Sequence, residues 1–138
     1  MNIVKLNGED DELYRRVARL VMDKDVLASN NNYPFKTSAS HIWFVAYDEN
    51  DTTTGFIPVA VRNRNATINN YYIANNDIDV FGKLLDTAIT NLHPKFTILS
   101  VTQRQHISTF RKYGFTTIFE WEKYVKMIYN VDSTKERL

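Results

Sequence analysis

The stretch Gln103-Arg104-Gln105-His106-Ile107-Ser108-Thr109-Phe110-Arg111-Lys112-Tyr113-Gly114-Phe115 decides the fold. It predicts a short helix, from Gln103 or Gln105 to Tyr113, closed by Gly114. A glycine just past the last turn takes the left-handed conformation that ends helices, and Phe115 beyond it packs back on Phe110. Upstream, Phe96 to Val101 is rich in apolar and β-branched residues and predicts a strand. Downstream, Thr116 to Ile128 alternates and predicts one long strand or two short ones.

Before that strand, Ile78, Phe81, Leu85, Ala88 and Leu92 recur at three- and four-residue spacing, the apolar face of a helix that His93-Pro94 stops. Asn75-Asn76 opens this helix and ends a strand from Ala66 to Ala74. Further back, Ile42 to Tyr47 and Gly55 to Arg62 form a hairpin around the polar turn Asp48 to Thr53. Pro58 lacks an N–H and predicts a bulge or irregular stretch in the second strand. At the N-terminus, Ile3 to Leu6 is a short strand. A helix capped by Asp10 or Asp11 then runs to about Met22, and Asp23 to Ala28 adds a helical turn. Ser29 to Ser40 reads as an irregular loop. The order β-α-(α)-β-β-β-α-β-α-β predicts an α+β fold. Its sheet is mixed and mostly antiparallel, with helices on both faces.

The chain has 138 residues, which fits one domain over residues 1–130 followed by a charged tail over 131–138. Hydrophobic residues make up 43% of it, enough for a core without a staple. There is no cysteine, so disulfide scaffolds, thiolate metal sites and cysteine nucleophiles are excluded. Seventeen basic against 16 acidic residues give a net charge of +1, without the basic footprint of a nucleic-acid binder. No segment reaches the ~18 apolar residues of a membrane span. These features predict a cytoplasmic protein that binds neither nucleic acid nor membrane, as a monomer or homodimer.

Two phrases in this order resemble the GNAT-type N-acetyltransferase superfamily, and the resemblance covers nearly the whole chain. The hairpin Phe44-Val45-Ala46-Tyr47-Asp48 … Thr54-Gly55-Phe56-Ile57 resembles the family's second and third strands. The Gln103 to Phe115 stretch resembles its Asn-x-x-Ala-x-x-x-Tyr-x-x-x-Gly-Phe helix. The resemblance implies acetyl-CoA as co-substrate, lying where the fourth and fifth strands splay apart. Tyr71, Ile73 and Ala74 would face its pantetheine, with a backbone N–H among Tyr71 to Ala74 as oxyanion donor. The pyrophosphate would lie at the start of the next helix, near Asn76, Val80, Phe81 and Gly82. Gln103, in the usual asparagine place, would reach pantetheine, and Arg104, Arg111 and Lys112 the CoA phosphates.

Besides Gln103, three residues depart from the family pattern. Asp79 and Phe81 stand in the two glycine places of the phosphate loop, with Gly82 one residue late. A carboxylate ~5 Å from a pyrophosphate charge is repulsive by about 3 kcal/mol at an effective dielectric of ~20. Phe110 stands where many members have a tyrosine that protonates the departing thiolate. A plain structural reading also fits this region: Asn76 caps the helix while Asp77 and Asp79 complement its dipole.

The resemblance implies transfer of an acetyl group to a small-molecule or peptide amine. For its base, Glu120 or Glu122 on the last strand are candidates, sharing one face at period two, or a water passed along Tyr72. The alternative function is a catalytically inactive binding or interaction module on the same fold. His41, His93 and His106 have no metal-ligand spacing, and His106 faces either the wedge or the surface. Arg62 and Arg64 read as a solvated turn. No Gly-x-Ser-x-Gly phrase is present to support a serine hydrolase.

Overall fold

A computed structural model describes residues 1–130. The residues of the expected charged tail, 131–138, lie outside that range. The strands are β1 (Asn2–Asn7), β2 (His41–Tyr47), β3 (Thr53–Arg62), β4 (Asn65–Ile68), β5 (Tyr72–Ile73), β6 (Thr97–Gln103), β7 (Phe115–Glu120) and β8 (Tyr124–Tyr129). The helices are α1 (Asp11–Val21), α2 (Lys24–Ser29), α3 (Ile78–Leu92) and α4 (Ile107–Lys112). One sheet runs β1-β2-β3-β4-β6-β8-β7, and β5 pairs only with β3. All neighbours are antiparallel except β4 and β6. The α+β class and the mostly antiparallel sheet are as expected.

Alternation along the strands gives each face its own core. Phe44, Ala46, Ile57, Val59, Ile68 and Ile98 turn toward α3 and α4. Leu6, Trp43, Val45 and Phe56 turn toward Leu13 and Val17 of α1. Caps fix the helix starts: Asp10 accepts from the Glu12 amide, and Asp23 from the amides of Asp25 and Val26. Gly114, at φ 98°, closes α4, and the Phe110 and Phe115 rings meet edge to face at 5.2 Å.

Three expectations are corrected. The strand expected from Ala66 to Ala74 is two strands, broken at residues 69–71. Pro58 introduces no bulge, and its pairing with Trp43 is in regular register. The Val61 amide points toward the β2 side, donating to the Ser40 carbonyl, so alternate residues, Pro58 included, face the other way. There Ile57 and Pro58 fall between the β4 and β5 pairings, so the missing N–H breaks no ladder bond. β3 does carry an irregularity, but at Thr54, which is skipped between the pairs Ala46↔Gly55 and Tyr47↔Thr53, and the neighbouring fourth strand is broken opposite Pro58. Finally, Glu120 ends β7 whereas Glu122 lies in the β7–β8 turn, so they do not share a strand face.

Candidate functional site

The break in the fourth strand builds the site. β4 pairs with β6 from Asn65↔Thr97 to Ile68↔Ser100 and then stops, while β6 continues to Gln103. After residues 69–71 the chain resumes as β5 on the edge of β3, with Phe56 opposite Tyr72. The two strands therefore diverge beyond Ile68 and Ser100. Phe56 faces β5 by alternation with Val61, so Tyr72 bonds to β3, and the N–H and C=O of Tyr71 and Ile73 turn into the divergence.

Tyr71 spans that opening. It is 3% exposed, and its hydroxyl accepts the Gln103 amide of β6 at 3.1 Å. The same oxygen lies 2.8 Å from His106 Nδ1. The ring packs on Phe81 (5.2 Å between centroids), His106 (5.4 Å) and Phe110 (5.7 Å). Phe81 thus turns into the aromatic cluster, away from the helix surface. Burial drives the Tyr71 phenol well above its ordinary pKa, the Gln103 bond opposing, and burial lowers that of His106.

Because the folded protein resists protonating His106, the unfolded chain takes up that proton first as pH falls. The histidine's stabilising contribution is present above pH ~6.5 and is lost as pH falls toward the depressed folded pKa. His41, also lowered by burial, acts in the same direction. A melting-temperature profile between pH 7.5 and 5 should fall less steeply in His106→Gln than in the parent.

Asp77, not Asn76, caps α3. The run Asn75-Asn76-Asp77 offers three capping residues, but Asn75 and Asn76 adopt φ of 57° and 51° inside a 3-10 turn. Asp77 is extended, and its carboxylate accepts the amides of Asp79 (3.0 Å) and Val80 (3.3 Å). These are the amides that a phosphate at this helix start would use. Beside them lies a cleft of about 720 Å³ between α3 and α4, with Asp79, Asp86, Lys83 and Lys112 on its walls. Gly82 forms part of its floor, where a Cβ would collide with the Tyr113 hydroxyl.

A second cavity, of about 900 Å³, opens on the opposite face of the sheet. Pro58, Ala60 and Val101 line it, as do Asn69 and Asn70 of the strand break. One wall is Tyr33, Pro34, Phe35 and Lys36; the other is the β7–β8 turn with Trp121, Glu122, Lys123 and Tyr124. The walls are tied together. Asn70 donates to the Pro34 carbonyl at 2.9 Å, the Tyr124 hydroxyl donates to the Asn30 carbonyl at 3.1 Å, and the Tyr33 and Tyr124 rings lie 5.9 Å apart.

The remaining candidates fall on either side of this arrangement. Ile73 and Val80 are buried, and Ala74 and Asn76 belong to the 3-10 turn before α3. Gln103 turns its side-chain amide to Asn30, donating at 3.2 Å. Arg104 faces away from α3, donating to the carbonyls of Trp121 (2.6 Å) and Glu122 (2.9 Å) and pairing with Glu120 at 3.6 Å. Glu122 lines the groove and Glu120 does not. Tyr72 is half-buried against Phe56 on the α1 face; burial, then the Asp23 charge, raises its pKa. Sequence reasoning missed the wall formed by Tyr33 to Lys36. Its signal was the aromatic pair around Pro34 in a loop otherwise rich in asparagine.

Among the described residues no helix is long and apolar enough to cross a membrane. Nor does any group of three or more potential metal ligands occur there.

A sheet opened between a broken fourth strand and the next, with helices starting at the mouth of the opening, is the GNAT architecture. The chain has the GNAT N-acetyltransferase fold. ElaA of Escherichia coli superposes with a TM-score of 0.72 at 11% identity, over 94% of this chain and 100% of that one. An acyl-CoA N-acyltransferase from Pseudomonas aeruginosa gives 0.67 at 13% identity, over 93% and 97%. The PaiA N-acetyltransferase of Thermoplasma acidophilum, solved in complex with coenzyme A, gives 0.59 at 16%, over 93% and 98%. No protein-family model and no curated protein matches the sequence.

Proposed function

We propose that the chain is an acyl-CoA-dependent N-acyltransferase that moves an acetyl group to an amine held in the groove. The observation that carries this reading is the meeting of two sites at one opening. Asn69 and Asn70 on one lip of the divergence and Val101 on the other also line the groove. A donor arm entering from the α3 and α4 side would therefore meet an amine entering from the opposite face. Such convergence holds two reactants in attack geometry. The coenzyme A bound to the Thermoplasma neighbour supports the choice of donor.

The residues fit the donor unequally. The free edge of β5 suits a pantetheine arm, since the Tyr71 and Ile73 backbone groups face the opening. The start of α3 suits a pyrophosphate poorly, because Asp77 already accepts its amides and Asp79 adds a second carboxylate. Donor binding would then rest on the strand edge, with Lys83 and Lys112 near the phosphates.

In this reading a backbone N–H of Tyr71 or Ile73 polarises the acyl carbonyl. Glu122, or a water at Tyr72, takes a proton from the attacking amine. Phe110 has no proton to give the leaving thiolate. The Tyr71 hydroxyl, which spans the opening, takes that role, moving off the Gln103 amide as the arm enters.

Calorimetry with acetyl-CoA, together with thiol release in the presence of primary amines, tests the proposal. Asp77→Asn makes the test sharper. Asparagine caps as well as aspartate, so stability should hold within about 0.5 kcal/mol, while loss of the charge should tighten CoA about tenfold. Unchanged affinity would remove the start of α3 from the donor site. A second reading, a binding module without catalysis, is favoured by Tyr71 filling the divergence. It predicts no CoA binding by either protein.

A further inference from the structure

We infer that the groove takes an anionic amine: a primary amine carrying a carboxylate and an aromatic or flat apolar group, up to the size of a short peptide. The inference rests on the acyltransferase reading for the word amine, but the charge and shape of the groove stand without it.

Charge enters from both walls. Lys36 projects from the loop before β2 and Lys123 from the β7–β8 turn, so each wall of the groove carries one ammonium group. Both lysines are exposed, and neither forms an ion pair among the described residues. Glu122 is the one carboxylate on the groove lining. The next along the chain, Glu120, is paired with Arg104, whose guanidinium also fastens the turn that carries Lys123. The groove therefore keeps an excess positive charge, with one carboxylate left to receive an ammonium or its proton. A polyamine or another polycation would meet two uncompensated lysines and one partner. A carboxylate-bearing amine pairs with both signs at once.

Shape narrows the choice further. Tyr33, Phe35, Trp121 and Tyr124 line the walls, and Pro58 and Val101 lie on the sheet between them. At about 900 Å³ the cavity is larger than a single amino acid needs and falls within the range of small-ligand sites. Aromatic walls joined by hydrogen bonds favour a flat side chain, because the walls need little reordering to receive it.

The test uses three dipeptides that differ at one group: Phe-Glu, Phe-Gln and Phe-Lys, each amidated at its C-terminus. Binding is measured by calorimetry without donor, and kcat/KM with acetyl-CoA, for the parent chain and for the Lys36→Gln/Lys123→Gln double variant. Circular dichroism and melting establish that the variant is folded; its substitutions are exposed. The expected result is that Phe-Glu binds about tenfold more tightly than Phe-Gln and more tightly still than Phe-Lys, and that the double variant reduces this ladder to within about twofold. Exposed charge pairs are individually weak, and two of them acting together set this scale. A flat or reversed order in the parent chain, or a ladder that survives in the variant, overturns the inference. Binding in the expected order without transfer supports the charge assignment and counts against the acyltransferase. Transfer to Phe-Lys in preference to Phe-Glu does the opposite.

Discussion

Phe110→Ala is expected to lower the unfolding free energy by about 3–5 kcal/mol, the range for removing a fully buried phenylalanine. Phe110 is completely buried. Its ring meets Phe115 at 5.2 Å, Phe81 at 5.7 Å and Tyr71 at 5.7 Å, so it joins α4 to the aromatic cluster across the strand divergence. Neighbours on several elements cannot all collapse into the space, which places the cost toward the upper end. Urea denaturation should show the midpoint falling at nearly constant slope. A second substitution at the same position separates fold from chemistry. If Phe110 has only a packing role, Phe110→Tyr should not raise the turnover of acyl transfer. A tenfold gain would mean that the tyrosine of related helices still has a place to act here.

The second large effect is expected at Gly8, in the turn between β1 and α1. Its amide donates to the His41 carbonyl at 2.9 Å, and its carbonyl accepts the Thr37 hydroxyl at 2.6 Å. The Thr37 oxygen in turn accepts Trp43 Nε1 at 3.0 Å. A Cβ on Gly8 would collide with the Ser38 carbonyl oxygen, stand 2.5 Å from Thr37 Oγ1 and 2.8 Å from His41 Cβ. The nearest obstacle is backbone, so the segment before β2 must lift and the Trp43–Thr37 bond with it. Gly8→Ala should therefore cost about 3 kcal/mol, at the severe end of overpacking. Gly82→Ala is the useful contrast, because there the obstructing atom is the Tyr113 hydroxyl at the tip of a side chain. Matched urea titrations should rank Gly8→Ala well below Gly82→Ala in stability.

Where a local signal is strong, the fold can be read from sequence. The period of Phe81 to Leu92 and the Gly114 terminus each describe one element's own geometry, although Ile78, read on the same apolar face, is 63% exposed at the start of α3. The break at residues 69–71 is different in kind. Ala66 to Ala74 reads as one strand on its apolar and β-branched residues, but the Asn69-Asn70 pair inside it is a turn signal which that reading passes over, and Asn70 takes a φ of 31° at the break. Pro58 marks the gap in the neighbouring strand, which its missing N–H faces, while the irregularity of its own strand falls four residues earlier, at Thr54. At Asn75-Asn76-Asp77 three residues with similar capping chemistry compete, and the 3-10 turn decides for Asp77. The candidate site is legible as a place and less so as side chains. That Tyr71 bridges to Gln103 and His106 is a contact across more than thirty positions, which periodicity does not encode. Glu120 and Glu122 look alike in sequence, and only the turn between β7 and β8 separates them.

Amide NMR of the uniformly labelled chain, titrated with acetyl-CoA, tests most directly whether the opening between β5 and β6 is the acyl-donor site. Saturable shifts clustered at Tyr71, Ile73, Gln103 and His106 are the expected result. The Gln103 amide should move most as it loses the Tyr71 hydroxyl. An unchanged spectrum at millimolar acetyl-CoA, or shifts confined to surfaces away from these residues, would contradict that assignment.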